Sequence, residues 1–563
     1  MTTAGSASTP PAATLDLEQG TTGPRRVSAI ELLGLAGLLA LGAYTRAYGF
    51  TRYDLWFDDA WAAMPARVGL SQAIHMVLTA PGYGLAIRSW IRLDPATTWW
   101  AQLPAYVLGL LAIPAVYAFL RWLRNPRWLA FAAALVVTAS PLLVQYATRV
   151  KEYPFDLLAA CVILLLAERA RRGPSAHRLA VLAVASVATI FISAGCAPVV
   201  AGAWLALSAA LLHDARMRRP LAGCLVVTVT GALVVWVVFL RTLPGVLTTN
   251  WRRRGFLVDY RSLPRAERSL SLIFGGFVHA VFGYPVPVSF YRGTPGVHDA
   301  GALAVGVLLL AVAILVPLVA SIRRGVTAEL ASALALLVAV VLSVADRVPL
   351  GDGRTDEVLY PALLVCLAAA VRSAGPHVRR AIGEGAPARA ASGALAGVLL
   401  VGTVVFGVDH TAVYPTISLR GVDDGLAKLV RPGDVVFVDT FNSFGWCYYA
   451  LSPCRVQVGG TPVWPQGFRP VSTTSATFVA SHYGVPLPEF TAAQARATRI
   501  WYVGYTYGTF DVGSSPTVYD VPVVPTFFTG LLSRDGWRRE YGLGTQVLGV
   551  HAYAVLFVRG GHR

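Results

Sequence analysis

Long apolar runs alternate with short polar connections from residue 28 to residue 409. The runs lie near 28–48, 98–121, 127–146, 155–169, 178–193, 195–212, 219–240, 300–321, 327–346, 357–373 and 391–409. Most approach the ~20 residues that a helix needs to cross a bilayer. The stretch 79–93, "TAPGYGLAIRSWIRL", is shorter, opens on Pro and Gly and carries Arg88 and Arg92. It predicts an interfacial or partly inserted helix rather than a span. Beyond residue 415 the pattern becomes that of a packed α/β unit. "DVVFVD" (434–439), "RIWYVGY" (499–505) and "HAYAVLFVR" (551–559) read as buried strands, and "GLAKLV" and "GWCYYAL" as helices between them. The expectation is a polytopic α-helical membrane protein with about 11 transmembrane helices over residues 28–415, followed by an α/β domain over 416–563. Residues 1–27 are polar and rich in Thr, Ala, Pro and Gly, and read as a disordered tail.

Composition agrees with the pattern and adds an orientation. The chain is 55% hydrophobic and 14% charged, with a formal net charge of +17. In a soluble protein that charge would suggest nucleic acid. Here arginines marking the cytoplasmic side explain it, and no nucleic-acid partner is expected. All but two of the 47 basic residues are arginine, the exceptions being Lys151 and Lys428. With eleven spans and a cytoplasmic N-terminus, the inner connections are "RWLRNPR", "ERARRGPSAHR", "HDARMRRP", "SIRRG" and the loop 372–389, all short and basic. Counting 79–93 as a span would move the first two outside. The expected location is therefore the plasma membrane, with the C-terminal domain extracytoplasmic. Of six cysteines, Cys161, Cys196, Cys224 and Cys366 fall in apolar runs, whereas Cys447 and Cys454 lie close together in the polar C-terminal part and are candidates for a disulfide.

This threading puts four charged segments on one membrane face: "RYDLWFDDAWAA" (52–63), "TRVKEYP" (148–154), the loop 241–299 and "DRVPLGDGRTDE" (346–357). Asp58 and Asp59 sit among Trp56, Phe57 and Trp61. Aromatic surroundings desolvate a carboxylate and raise its pKa towards that of a general base, and two adjacent carboxylates call for a compensating cation. Arg149, Lys151, Arg252, Arg253, Arg254 and Arg354 supply candidates; those in short outer loops run against the topology signal and so suggest a site. The plainer alternatives are interfacial acids and arginines that bind lipid headgroups. A base beside convergent cations at an interface fits transfer of a group from a lipid-linked phosphate, with the base accepting a hydroxyl proton and the cations stabilising the leaving phosphate.

The same segments resemble the GT-C superfamily of polyprenyl-phosphate-sugar-dependent glycosyltransferases, which includes protein mannosyltransferases and the lipid A aminoarabinose transferase. "LWFDDAW" is similar to the acidic pair of the family's first outer loop, and "SPLLVQYATRVKEYPFDLLAA" resembles its bacterial form, with Lys151, Tyr153 and Asp156 in place. "VPLGDGRTDEVLYPALL" resembles a segment near the last spans, and "VRPGDVVFVD" with the following "YYA" resembles the outer domain. The resemblance implies an inverting transferase with Asp58 as base. Asp59 would position the acceptor or hold Asp58 through the loop. Lys151 and Arg354 would bind the donor phosphate, with Arg149 and Arg252–Arg254 as second choices and Tyr153 and Asp156 in support.

The implied partners are a polyprenyl-phosphate-sugar donor, membrane lipids, and a glycan, glycolipid or protein acceptor. No cofactor is expected, and no His/Cys/Asp cluster has metal-ligand spacing. His75, His279 and His482 read as satisfied or interfacial histidines. Trp446, Tyr448, Tyr449, Trp464 and Trp501 are either stacking faces for acceptor sugars or core aromatics. Two other classes stay open, a transporter or flippase of a lipid-linked substrate and a non-catalytic scaffold. Transporters commonly show repeats and midplane charges, whereas here the charges gather at one face.

Overall fold

The computed structural model describes residues 28–50, 55, 57–74, 80–95, 97–240, 257, 311, 314–319, 327–350, 357–382 and 419–438 and, beyond them, 445–446, 448–449, 454–456, 468–470, 476–482, 485–486, 488–505, 532–533, 535–540, 546–548 and 552–560. Its helices are α1 (Ala29–Phe50), α2 (Phe57–Ala63), α3 (Leu70–Ile74), α4 (Pro81–Ile91), α5 (Thr98–Trp122), α6 (Arg127–Ala139), α7 (Pro141–Tyr146), α8 (Tyr153–Arg172), α9 (Ala176–Ile192), α10 (Ala197–Leu211), α11 (Arg218–Val235), α12 (Thr327–Val344), α13 (Tyr360–Ile382), α14 (Leu419–Ala427) and α15 (Pro488–Arg496). Among the described residues, five segments are long and apolar enough to cross a membrane: Ala29–Ala47, Thr98–Trp122, Ala194–Leu211, Arg218–Phe239 and Thr327–Val344. The runs expected at 300–321 and 391–409 lie largely or wholly outside the described residues. α4 has 11 residues and is about 16 Å long, too short for a ~30 Å hydrocarbon layer.

Helix packing here relies on small residues, because lipid gives no hydrophobic drive for one helix to prefer another. α10 lies against α12, and a Cβ on Gly202 would strike the Ala331 carbonyl oxygen and the Ala335 backbone. Ala328, Ala331, Ala335 and Ala339 are all fully buried on the facing helix. α11 turns the other way and leaves Val226, Val227, Val229 and Leu233 exposed, as a lipid-facing surface requires.

The run read as one span over 127–146 is two helices. Pro141 opens α7 and has no N–H to give, and Ser140 before it adopts φ −59°, ψ 120°, outside the helical region. The carbonyls exposed at the end of α6 are met by Arg46 from the last turns of α1. Its guanidinium donates Nη1 to Thr138 at 3.2 Å and Nη2 to Val137 at 3.0 Å, which is how a buried arginine can terminate a neighbouring helix.

The two ends of the bundle carry different chemistry. At one end each acid is clamped by arginine. Glu31 receives the Tyr117 hydroxyl at 2.6 Å and faces Arg127 at 3.1 Å. Glu168 binds Arg171 at 2.7 Å, Arg172 at 2.9 Å and the Ala328 N–H at 3.0 Å, and Glu329 pairs with Arg372. The basic connections around 121–127, 169–172 and 372 thus gather there. The opposite end holds the last turns of α1, α2, the α7–α8 joint and the start of α13.

The C-terminal part forms a mixed sheet. Its strands are β1 (Asp434–Val438), β2 (Cys454–Val456), β3 (Phe468–Pro470), β4 (Ala476–His482), β5 (Val485–Pro486), β6 (Arg499–Tyr505), β7 (Trp537–Arg539), β8 (Gln546–Leu548) and β9 (Ala552–Arg559). Their order is β5-β4-β1-β6-β9-β7, with β8 also on β9 and β2–β3 a separate pair. β1 runs parallel to β4 and β6, and β6 antiparallel to β9. All five residues of β1 are buried, as expected of a central strand covered on both faces. The helix expected at "GLAKLV" ends at Ala427, and Gly433 at φ +85° supplies the left-handed turn into β1.

Candidate active site

The site begins with a local helix. α2 starts at Phe57 and turns Asp59, Ala60, Trp61, Ala62 and Ala63 into a core shared with Leu55, Tyr83, Ile87, Val150 and Tyr448. Asp59 is 1% exposed, and both of its oxygens are engaged. Oδ2 takes Arg149 Nη1 at 3.0 Å, and Oδ1 takes the Val150 N–H at 3.2 Å. The first polar loop is thereby pinned to the α7–α8 joint, 90 residues away. Asp58 stands beside Asp59 on α2; its side chain lies outside the described residues.

Lys151 follows directly on the residue whose amide binds Asp59. Bond lengths then keep its Cα on the order of 10 Å from that of Asp59. Among the described residues no ion pair involves Lys151, whereas Arg149, a second-choice phosphate ligand, is committed to Asp59. Tyr153 packs edge-on against Tyr146 with ring centroids 5.2 Å apart. Asp156, in the first turn of α8, is buried and accepts from Cys196 Sγ at 3.8 Å and from the Ser193 side chain. The "ISAGCAP" joint between α9 and α10 therefore supplies its partners. Arg252, Arg253, Arg254, Arg354 and Cys447, the side chains of Cys454 and His482, and His75 and His279 lie outside the described residues.

Three residues at this end were not singled out from sequence. Tyr83 of α4 is buried among acids, and burial pushes its phenol well above the usual range, with the charges of Glu152, Asp59 and Asp156 adding to the effect. It is a neutral hydroxyl donor at physiological pH. Arg46 is fully buried at the α6 terminus, and Glu357 is 1% exposed in the short 3₁₀ turn Glu357–Leu359 ahead of α13. Signals for two existed: Arg46 is a charge near a span end, and Glu357 closes the "GRTDE" segment. Sequence could not say that they face the same end as Asp59.

The arginines of 79–93 have structural partners. Arg88 donates Nη1 to the carbonyls of Pro65 and Val68, and Arg92 Nε reaches Ala66 at 3.3 Å. α4 is thus tied to the turn after α2. Of the aromatics weighed as sugar platforms, Trp446, Tyr448 and Trp501 are buried in core clusters and present no free face, and Trp464 lies outside the described residues. Among the described residues no group of three or more His, Cys, Asp or Glu is placed to hold a metal ion.

Nearly the whole chain superposes on ArnT from Cupriavidus metallidurans in the apo state, with TM-score 0.50, 14% identity, 93% of this chain and 97% of that one covered. The same protein bound to undecaprenyl phosphate gives TM-score 0.50, 14% identity and coverage of 94% and 98%. The chain has a GT-C fold. Arabinosyltransferase EmbB from Mycobacterium smegmatis overlaps it less, with TM-score 0.31, 16% identity, and 72% of this chain and 44% of that one covered. No protein-family profile and no curated protein matches the sequence. With its apolar helices, the GT-C fold makes this a multi-pass membrane protein.

Proposed function

We propose that the protein is a membrane glycosyltransferase that moves a sugar from a polyprenyl-phosphate donor to an extracytoplasmic envelope acceptor, whether polysaccharide, glycolipid or protein. Asp58 takes the proton of an acceptor hydroxyl as that oxygen bonds to the anomeric carbon. The bond from that carbon to the phosphate oxygen breaks in the same displacement, inverting the centre and releasing polyprenyl phosphate. Lys151 and Arg354 stabilise the charge that develops on the leaving phosphate. Asp59, held by Arg149 and the Val150 amide, fixes the direction in which Asp58 projects.

The observation that carries this reading is the Asp59–Arg149 contact, because it joins the acidic helix to the segment bearing Lys151. The structure of ArnT with undecaprenyl phosphate supports a lipid-phosphate ligand for the same fold. The end that holds Asp59 is assigned to the extracytoplasmic side because the opposite end collects the arginine-rich connections.

The test is transfer by membranes containing the full chain, supplied with polyprenyl-phosphate mannose or polyprenyl-phosphate arabinofuranose and an envelope extract. The expected result is that Asp58→Asn lowers transfer by ~100-fold or more while expression and insertion are kept, as for loss of a general base. Near-normal turnover in that variant would reject the assignment. An equal loss only in Asp59→Asn would move the base one residue along.

A further inference from the structure

Glu357 lies in the "GRTDEVLYP" segment and has no part in the reaction above. It is 1% exposed, and neither carboxylate oxygen has a hydrogen-bond partner. Burying a carboxyl without partners is costly, so such a group calls for an explanation. The short turn that carries it packs on α8, and Tyr360, three residues on, meets Ser140 at the α6–α7 break, with 3.2 Å between the hydroxyls. The charged groups whose fields reach it are Asp156 and Arg46. Asp156 in turn acts on Tyr83, which also feels Asp59. Mutual electrostatic fields thus link the acidic helix, Tyr83, Asp156 and Glu357 in one chain.

Along that chain the acids differ in what they have left to offer. Both oxygens of Asp59 are engaged by Arg149 and Val150, and Asp156 is met by Ser193 and Cys196. Glu357 alone has both oxygens open among the described residues. Arg46 makes no hydrogen bond to it: Nη1 binds the carbonyls of Gly42 and Thr138, Nη2 that of Val137, and Nε has no partner among the described residues. Burial holds this carboxyl neutral, so it has one O–H to give and one oxygen to accept, which fits a ligand with neighbouring hydroxyl groups.

We infer that Glu357 is a specificity-determining residue that receives hydroxyl groups of the donor's sugar ring, beside Asp156. This rests on the glycosyltransferase reading above. It separates the work of the site: cations near Lys151 hold the lipid phosphate, and Glu357 reads the sugar. The sugar's hydroxyls would meet the two oxygens that no group among the described residues bonds.

Binding of three probes to the purified full-length protein in nanodiscs tests this: polyprenyl phosphate, polyprenyl-phosphate mannose and polyprenyl-phosphate arabinofuranose. Wild type is expected to hold at least one glycosylated lipid more tightly than the bare phosphate. Glu357→Met should then weaken that complex by about tenfold or more, in line with the loss of one or two hydrogen bonds, and leave polyprenyl phosphate within twofold. Because the acid has no partner in the ligand-free protein, Glu357→Met should keep or raise its Tm, which a residue needed for the fold would lower.

Equal weakening of all three lipids, or no weakening of any, would overturn the inference, as would a wild type without preference for either sugar. If wild type binds none of the lipids, the glycosyltransferase reading falls and this one with it. Binding of bare phosphate without discrimination removes only the sugar site.

Discussion

Asp59 and Arg149 form a buried ion pair, Nη1 to Oδ2 at 3.0 Å, between a loop helix and the joint of two bundle helices. Neither side chain is more than 8% exposed, so each charge depends on the other for the solvation it lost. The pair also fixes α2 in rotation, because the second oxygen of Asp59 is bound to the Val150 amide. Asp58, one residue earlier, is offset by roughly 100° around the same helix, so whatever holds Asp59 sets where Asp58 points.

Breaking the pair from one side should be worse than removing it whole. Asp59→Leu or Arg149→Met alone is expected to lower stability by about 3–5 kcal/mol, because each leaves an uncompensated buried charge. The double variant should recover much of that loss. Chemical unfolding of the four proteins in detergent, analysed as a double-mutant cycle, gives the coupling directly. Additive effects would show that the two residues do not depend on each other.

Lys151→Ala should act on the donor half of the reaction. Its expected effect is slower departure of polyprenyl phosphate or a higher donor KM, with acceptor KM unchanged. Steady-state kinetics with each substrate varied in turn separate these. An unchanged donor dependence removes Lys151 from the phosphate site.

Much of the fold was legible because it rests on local pattern. β1, β6 and β9 lie within a residue of where "DVVFVD", "RIWYVGY" and "HAYAVLFVR" put them, since central strands are unbroken apolar runs. The 127–146 run was misread as one helix because hydropathy averages over a proline whose local effect is decisive. The site was half legible. Asp59 and Arg149 each stood out as charges in the wrong place, but Arg46, Tyr83 and Glu357 owe their meaning to partners far away in sequence. Arg46 looks like an ordinary terminal arginine until the carbonyls of Val137 and Thr138 are seen beside it.

The C-terminal part reaches into the site through Tyr449, whose hydroxyl accepts the Leu55 N–H at 2.8 Å. Leu55 is 1% exposed, so no water stands ready to replace that acceptor. Tyr449→Phe should cost about 1–3 kcal/mol, the penalty of an orphaned buried amide. It should also loosen the entry to α2. Hydrogen exchange at Leu55 should quicken in the variant, and unaltered protection would refute the link.

Gly202 and Gly223 make a matched pair. A methyl at 202 strikes the backbone of α12, while nothing lies within 4 Å of one at 223 on α11. Gly202→Ala is expected to destabilise by roughly 1–3 kcal/mol through forced separation of the helices. Gly223→Ala should be neutral or stabilise by up to ~1 kcal/mol from helix propensity. Thermal unfolding of both variants checks the contrast, and equal effects would mean that α10 and α12 do not meet at Gly202.

Tyr448 gives a pH prediction. Burial raises its phenol above the ordinary value, with Asp94 adding to the rise and Arg67, stacked 4.8 Å from its ring, opposing it. Between the unfolded value near 10 and the higher folded one, the folded protein binds the extra proton. Its contribution to stability is therefore complete below pH ~10 and is lost as pH climbs towards the folded value, at no more than about 1.4 kcal/mol per pH unit. Tyr83 adds a decline of the same sign. Tyr448→Phe should remove its own share of the alkaline loss while leaving that of Tyr83. Below pH ~10 the variant should match wild type or gain roughly 1 kcal/mol, since the hydroxyl it deletes is buried without a hydrogen-bond partner. Unfolding curves at a series of pH values from neutral to strongly alkaline test both parts, and an alkaline slope identical in the two proteins would show that Tyr448 ionises as freely folded as unfolded.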